Sequence, residues 1–312
     1  MIQVENVSQS YGKKKEIEVL KNINLLLKDG EVAALLGHNG SGKSTLIKCL
    51  VGVLKPTTGR IAIDGLNVFQ HRKKIVPKMG VVFNQKPSFL VDLTVYDNLL
   101  YFKTIYHIKE NDFSQMLQLV DRYLDIKDLY EKPYRKLSFG ERVKCEITSV
   151  LLHSPQYIFL DEPTIGLDYN AKKGLYNLLH YLKEETKATI LITTHEVDYI
   201  EGICDRAIIL SHGELEYDGV PKDFSRYLNH KISVTVEFNS IIDETEAKRI
   251  WENVEYIDMV KKVFTRVCSD EKEKEVYLKQ VVNAFSIKTV TTTSASLREV
   301  LEDVLDEIKR DK

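Results

Sequence analysis

The sequence predicts an α/β fold in which buried strands alternate with helices, a helical block interrupts the alternation, and a smaller α/β unit follows. Three observations carry this expectation. The apolar run Val32-Ala33-Ala34-Leu35-Leu36 enters the glycine loop Gly37-His38-Asn39-Gly40-Ser41-Gly42-Lys43-Ser44-Thr45 and then a helix. A second apolar run, Tyr157 to Leu160, ends in Asp161-Glu162. Between them, residues 93–129 place Val95, Leu99 and Phe102 at helical spacing.

Taken in order, residues 1 to about 35 alternate short strand-like stretches with polar turns at Tyr11-Gly12 and Asp29-Gly30, the pattern of a small antiparallel sheet. Val32–Leu36 reads as a buried strand, and Lys43 to Leu54 as a helix that ends before Pro56. After the helical block the α/β pattern resumes. It predicts a strand at Tyr157–Leu160, a helix over 170–185, a strand at Thr189–Thr193, a short helix near 197–202 and a strand at Ala207–Leu210. A separate unit begins near Asn229, so the expected domains are 1–228, with the helical insertion at about 88–155, and 229–312. There Ile232, Val234, Val236 and Phe238 alternate with Ser233, Thr235 and Glu237, which predicts a strand with one wet face. Leu297, Val300, Leu301, Val304, Leu305 and Ile308 form one helical stripe behind the capping box Ser296-Leu297-Arg298-Glu299. A small α/β domain of ferredoxin-like type fits this tail.

Composition narrows the function classes. Lys+Arg 44 against Asp+Glu 46 leaves a net charge of -2, and the clusters Lys13-Lys14-Lys15 and Arg72-Lys73-Lys74 are short enough to be solvated faces. No nucleic-acid partner is expected. Cys49, Cys145, Cys204 and Cys268 are scattered without metal-ligand spacing and read as reduced thiols of an intracellular protein. Met1-Ile2-Gln3-Val4-Glu5 shows no targeting pattern, and no apolar run is long enough to cross a bilayer. A membrane role therefore has to come through a partner chain.

The glycine loop carries the first chemistry. Gly37, Gly40 and Gly42 let successive backbone N–H groups turn inward on phosphates, while the next helix presents its positive end. Lys43 supplies a point charge for β and γ phosphates, and the Ser44 hydroxyl can ligate magnesium. At the carboxyl end of the strand Tyr157-Ile158-Phe159-Leu160, Asp161 would hold Mg²⁺ through water and Glu162 would polarise the attacking water as general base.

Together with Gln85, Leu137-Ser138-Phe139-Gly140-Glu141, Gly166-Leu167-Asp168 and His195, these elements resemble the ordered motifs of the ATP-binding cassette (ABC) ATPases over roughly residues 1–225. The resemblance implies a RecA-like phosphate-loop core bearing an antiparallel β subdomain, with a helical subdomain between Gln85 and the LSFGE string. It implies ATP and Mg²⁺, with Tyr11 stacking on adenine, Gln85 touching the metal and the attacking water, and His195 contacting the γ phosphate. Asp168 would couple two sites, the rival reading being a simple turn residue. Ser138 and the Gly140 N–H would reach the γ phosphate held by a second ATPase subunit, most simply a second copy. Family members usually have Gly and Gln where this chain has Phe139 and Glu141. Glu141 adds negative charge near a polyanion; Ser138 and Glu141 also have the spacing of a capping box, and if Glu141 folds back onto the Ser138 N–H that charge is spent on its own backbone.

Within the family, Val81 to Gln85, Leu93 to Leu99 and the short domain after Asn229 are most similar to exporter ATPases that pair with a separate integral membrane permease. This places the chain at the cytoplasmic face of the membrane. The alternatives are a soluble ABC-type regulatory ATPase, which usually has two cassettes or a long coiled coil, and an importer ATPase.

Overall fold

A computed structural model of the full chain describes residues 1–12, 17–83, 88–194, 200–221, 232–239, 256–258, 263–268 and 271–294. It divides into two compact units, Met1–Gly219 and Val220–Lys312. Among the described residues, the first unit holds two sheets. β1 (Ile2–Tyr11), β2 (Ile17–Leu27), β4 (Thr58–Ile63) and β5 (Leu66–Asn67) form an antiparallel sheet in the order β2-β1-β4-β5. β4 pairs with β1 after the chain has passed through the central sheet, and its first three residues are exposed. Local apolar pattern gave no notice of that strand.

The second sheet has the order β10-β9-β3-β8-β7-β6. Its members are β3 (Val32–Leu36), β6 (Met79–Val82), β7 (Tyr157–Asp161), β8 (Thr189–Thr193), β9 (Arg206–Ser211) and β10 (Glu214–Gly219). β9, β3, β8, β7 and β6 run parallel, and β10 joins antiparallel at the edge. Every residue of β3, β7 and β8 is buried, which is why these strands read as continuous apolar runs. The helix after β3, α1 (Lys43–Leu50), stops four residues short of the expected Leu54. Gly52, at φ +70, ends it, and the Val53 and Leu54 N–H groups both fold back to the Lys48 carbonyl.

After α2 (Arg72–Ile75), the helical block comprises α3 (Val95–Ile105), α4 (Glu110–Leu124) and α5 (Phe139–Leu151). α4 buries Phe113, Met116, Leu117, Val120 and Leu124 along one stripe. Asn98, wholly buried on α3, hydrogen-bonds the Leu90 N–H (2.7 Å) and the carbonyls of Leu90 (3.0 Å) and Thr94 (2.9 Å). Glu146 on α5 accepts from the Ser88 N–H (3.0 Å) and the Tyr134 hydroxyl (2.9 Å). These bonds tie the segment after residue 87 to the helix that begins in the LSFGE string. α6 (Tyr169–Tyr181) runs into a π-helical turn, Leu182–Thr186, and α7 (Ile200–Ile203) precedes β9.

The second unit has an antiparallel sheet in the order β12-β13-β11-β14, from β11 (Ile232–Phe238), β12 (Tyr256–Asp258), β13 (Val263–Cys268) and β14 (Ile287–Ser294). Val234, Val236 and Phe238 pack with Cys268 and with Tyr277 and Val281 of α8 (Glu271–Ala284). The alternation expected for β11 is present, except that Ser233 is buried as well. With β11 first in sequence, the order 2-3-1-4 is that of a split β-α-β sheet. The stripe from Leu297 to Ile308 and its cap at Ser296 lie outside the described residues.

Candidate functional site

The carboxyl ends of three neighbouring strands converge on one place. β3 pairs with β8 and β8 with β7, in a register that sets Leu35 beside Thr193 and Thr193 beside Asp161. The loop leaving β3 and the two carboxylates leaving β7 therefore share the sheet's upper edge, the usual ligand side of an open α/β sheet.

Two glycines of the loop are dictated by close approach. A Cβ on Gly37 (φ +147) would stand 2.2 Å from the Leu210 carbonyl oxygen, and one on Gly42 (φ +110) 2.9 Å from that of Val19. Lys43 is buried, and its Nζ donates to the carbonyls of Gly37 (2.6 Å) and His38 (3.0 Å), so the ammonium closes the loop on itself. Burial lowers its pKa, opposed by the charges of Glu162 and Asp161. The Ser41 hydroxyl oxygen is buried without a hydrogen-bond partner, while Asn39, Gly40 and Ser44 are exposed. Space opens beyond Gly40, where a Cβ would meet nothing within 4 Å. Tyr11, at the end of β1, is partly exposed, with its hydroxyl 3.5 Å from that of Thr45.

Both acidic residues, Asp161 by its carboxylate and Glu162 by its backbone, are held by a residue to which the sequence assigned no role. Thr193, fully buried, donates its hydroxyl to Asp161 Oδ1 (2.9 Å) and accepts from the Glu162 N–H (2.8 Å). Glu162 has φ +52, a left-handed conformation uncommon for a side-chain-bearing residue, and the Thr193 bond anchors it there. Thr193 reads as a strand residue because only the parallel register of β7 and β8 brings it to Asp161.

Ser138 caps α5. Its Oγ accepts from the Glu141 N–H (3.2 Å), and Glu141 Oε2 accepts from the Ser138 N–H (2.8 Å). Glu141 Oε1 accepts from Lys132 (3.0 Å). The Ser138 backbone bond first, then Lys132, lowers the Glu141 pKa. The negative charge that departs from the family pattern is thus absorbed within its own loop. Phe139, about half exposed, lies against Gly166. Asp168 caps α6, accepting from the Ala171 N–H (2.8 Å). Gln85 and His195 lie outside the described residues. All four cysteines are free thiols.

Residues 20–165 match the family described as ABC transporter. The bacitracin transport ATP-binding protein BcrA of Bacillus licheniformis is 34% identical over 238 residues, 75% of each chain. The methionine import ATP-binding protein MetN 1 of Bacillus cereus is 33% identical over 263 residues, 82% of this chain and 73% of that one. A dimeric ATP-binding cassette in a post-hydrolysis state, bound to ADP and Pi, superposes with a TM-score of 0.64 at 28% identity, covering 70% of this chain and 98% of its own. A phosphate loop, a paired carboxylate end and a capped signature helix on this scaffold, with relatives of this likeness, lead to one assignment: the chain belongs to the ABC transporter family, as an ATP-binding subunit with ATPase activity.

Proposed function

We propose that this subunit works as a pair of identical copies that closes on two ATP molecules and drives export through a separate membrane permease. Each ATP sits between the Lys43 loop of one copy and the Ser138 loop of the other. The observation that supports the sandwich is the LSFGE loop itself. Glu141 is turned onto the Ser138 N–H and Lys132, which leaves an exposed loop whose first helical N–H groups have no carbonyl partner one turn back. Such a loop presents donors, not charge, to a neighbour's polyphosphate.

In this reading Lys43 gives up its two carbonyl partners to the β and γ phosphates, and Tyr11 stacks on adenine. Glu162, fixed by Thr193, accepts the proton of the attacking water. His195 contacts the γ phosphate, and Asp168 links the two sites. The exposed Ser44 hydroxyl and the Asp161 carboxylate form an oxygen donor set suited to Mg²⁺, and Gln85 completes it. When bound, Mg²⁺ neutralises charge between the β and γ phosphates.

A cavity of about 230 Å³ lies where β6 meets the helical block, walled by Phe83, Ser88, Tyr106, Val150 and His153. Two of these residues, Phe83 and Ser88, flank the position of Gln85 in the sequence. We assign the cavity to a cytoplasmic helix of the permease, which would hold the subunit at the cytoplasmic face of the membrane. No helix among the described residues is long and apolar enough to cross a bilayer. Residues 229–312, within the unit Val220–Lys312, would serve as the accessory domain.

One observation favours import as a second reading: the likeness to the methionine import protein spans 82% of this chain, more than the 75% shared with the bacitracin transport protein. The test is to purify the tagged chain from detergent-solubilised membranes, identify the membrane subunit that accompanies it, and reconstitute the complex in vesicles with the ATPase outward. ATP-driven uptake into such vesicles corresponds to export from the cell. Efflux of preloaded substrate would establish import, and recovery only as a soluble complex would reject both.

A further inference from the structure

The turn after Glu162 and the start of α5 are interlocked by Phe139 and Gly166, which the ATPase reading leaves without a task, together with the backbone of Gly140. A Cβ on Gly166 (φ +80) would fall 2.1, 2.6 and 3.3 Å from three ring atoms of Phe139, the nearest atoms to it. In the other direction, a Cβ on Gly140 would fall 2.5 Å from the Gly166 carbonyl oxygen. The Phe139 ring is thus seated on the bare backbone of Gly166, and the backbone of Gly166 on that of Gly140. Beneath the contact, Leu167 is buried and its N–H closes a turn on the Thr164 carbonyl (3.1 Å). Around it, Phe139, Ile165 and Tyr169 are exposed apolar side chains flanking Ser138 and Asp168.

We propose that Phe139 is a positioning residue: its ring clamps the Thr164–Asp168 turn to the start of α5, so that Ser138 and Asp168 meet a second copy of this chain as one preformed surface with an aromatic centre. The inference rests on the two-copy reading above. Holding both loops together before contact removes an ordering cost from association, and the exposed face of the ring supplies apolar area to the joint.

The experiment uses the full-length chain with Glu162→Gln, Mg²⁺ and ATP, followed by sedimentation velocity, together with hydrogen exchange of the Ile165–Asp168 amides without nucleotide. Phe139→Ala should speed exchange of those amides and weaken ATP-dependent self-association, each about tenfold, while ATP affinity of the monomer stays the same. Phe139→Tyr should restore both. Gly166→Ala should weaken association about tenfold more with Phe139 present than in the Phe139→Ala background, because the φ penalty is common to both backgrounds and the ring clash is not. Equal effects of Gly166→Ala in the two backgrounds, or unchanged exchange in Phe139→Ala, would overturn the proposal. If the Glu162→Gln parent does not self-associate with ATP, the two-copy reading fails, and the exchange result judges the clamp separately.

Discussion

Thr193→Val removes one oxygen from the floor of the site while keeping the shape of the side chain. The hydroxyl makes two bonds, a buried one donated to Asp161 Oδ1 at 2.9 Å and a part-buried one accepted from the Glu162 N–H at 2.8 Å. Valine removes the bond that the Glu162 N–H donates to Thr193 and takes one donor from the Asp161 carboxylate, which is only 7% exposed. Losing an ordinary hydrogen bond costs about 0.5–1.5 kcal/mol and losing a bond to a charged group about 1.5–3 kcal/mol, so we expect about 2–4 kcal/mol of destabilisation. For a unit of this size the melting temperature should fall by roughly 5–15 °C. Glu162 sits at φ +52, and without its anchor the backbone can relax toward the common β or α regions. A displacement of about 1 Å lowers the hydrolysis rate by about a hundredfold. ATP affinity should stay close to native, since the phosphate loop is untouched. Phosphate release under saturating ATP, titration calorimetry with ATP and thermal unfolding read the three quantities. Thr193→Ser is the control: it keeps the hydroxyl and should keep most of the rate. A valine variant that hydrolyses ATP at the native rate, or a serine variant as slow as valine, would refute the anchoring role.

Glu162→Gln should retain ATP binding, lower turnover by about 10²–10⁴-fold and prolong the ATP-bound dimer, as phosphate release and sedimentation would show. Glu141→Gln keeps an acceptor for the Ser138 N–H but loses the charge paired with Lys132; hydrolysis should stay at or above the native rate, and a tenfold loss would assign the carboxylate another task. Asn98→Leu strands the Leu90 N–H and removes one donor each from the Leu90 and Thr94 carbonyls, which keep the backbone N–H groups of Leu93 and of residue 98; it should destabilise the first unit by about 1–3 kcal/mol in denaturant titrations. Burial raises the Asp64 pKa, but hydrogen bonds from Lys78, Tyr157 and the Met1 amino group outweigh it and hold the group at about 2, against 3.8 ordinarily. Because the folded value is the lower one, Asp64 contributes stability that is complete above about pH 4 and is lost as pH falls toward 2. Asp64→Asn should therefore flatten the acid limb of a melting-temperature profile in that window.

The expected helix at residue 43 and the strands at 32, 157, 189 and 207 all occur, because a strand buried on both faces has to be apolar at every position. Where burial is one-sided or partial, the pattern thins. β4 has three exposed residues before its apolar half, and that exposed half is paired by β1, about fifty residues earlier in the chain, while β5 pairs only its apolar end. The capping-box spacing of Ser138 and Glu141 was legible, and the structure takes the closed of the two outcomes it allowed, because Ser-x-x-Glu at a helix start can close on itself by local geometry.

By itself the sequence determined the contiguous chemistry: the glycine loop with Lys43 and Ser44, the pair Asp161-Glu162, and the capped loop at Ser138. Each spans a few residues, so local turns and a single strand or helix end place its groups. Tertiary structure alone decided which distant residues serve them. The parallel register of β7 and β8 put Thr193 between the backbone of Glu162 and the carboxylate of Asp161. The packing of α5 against the turn before α6 laid Phe139 on Gly166, twenty-seven residues away. Neither contact has a period or a motif, because sheet register and helix packing are set by the whole core and not by neighbours in the chain.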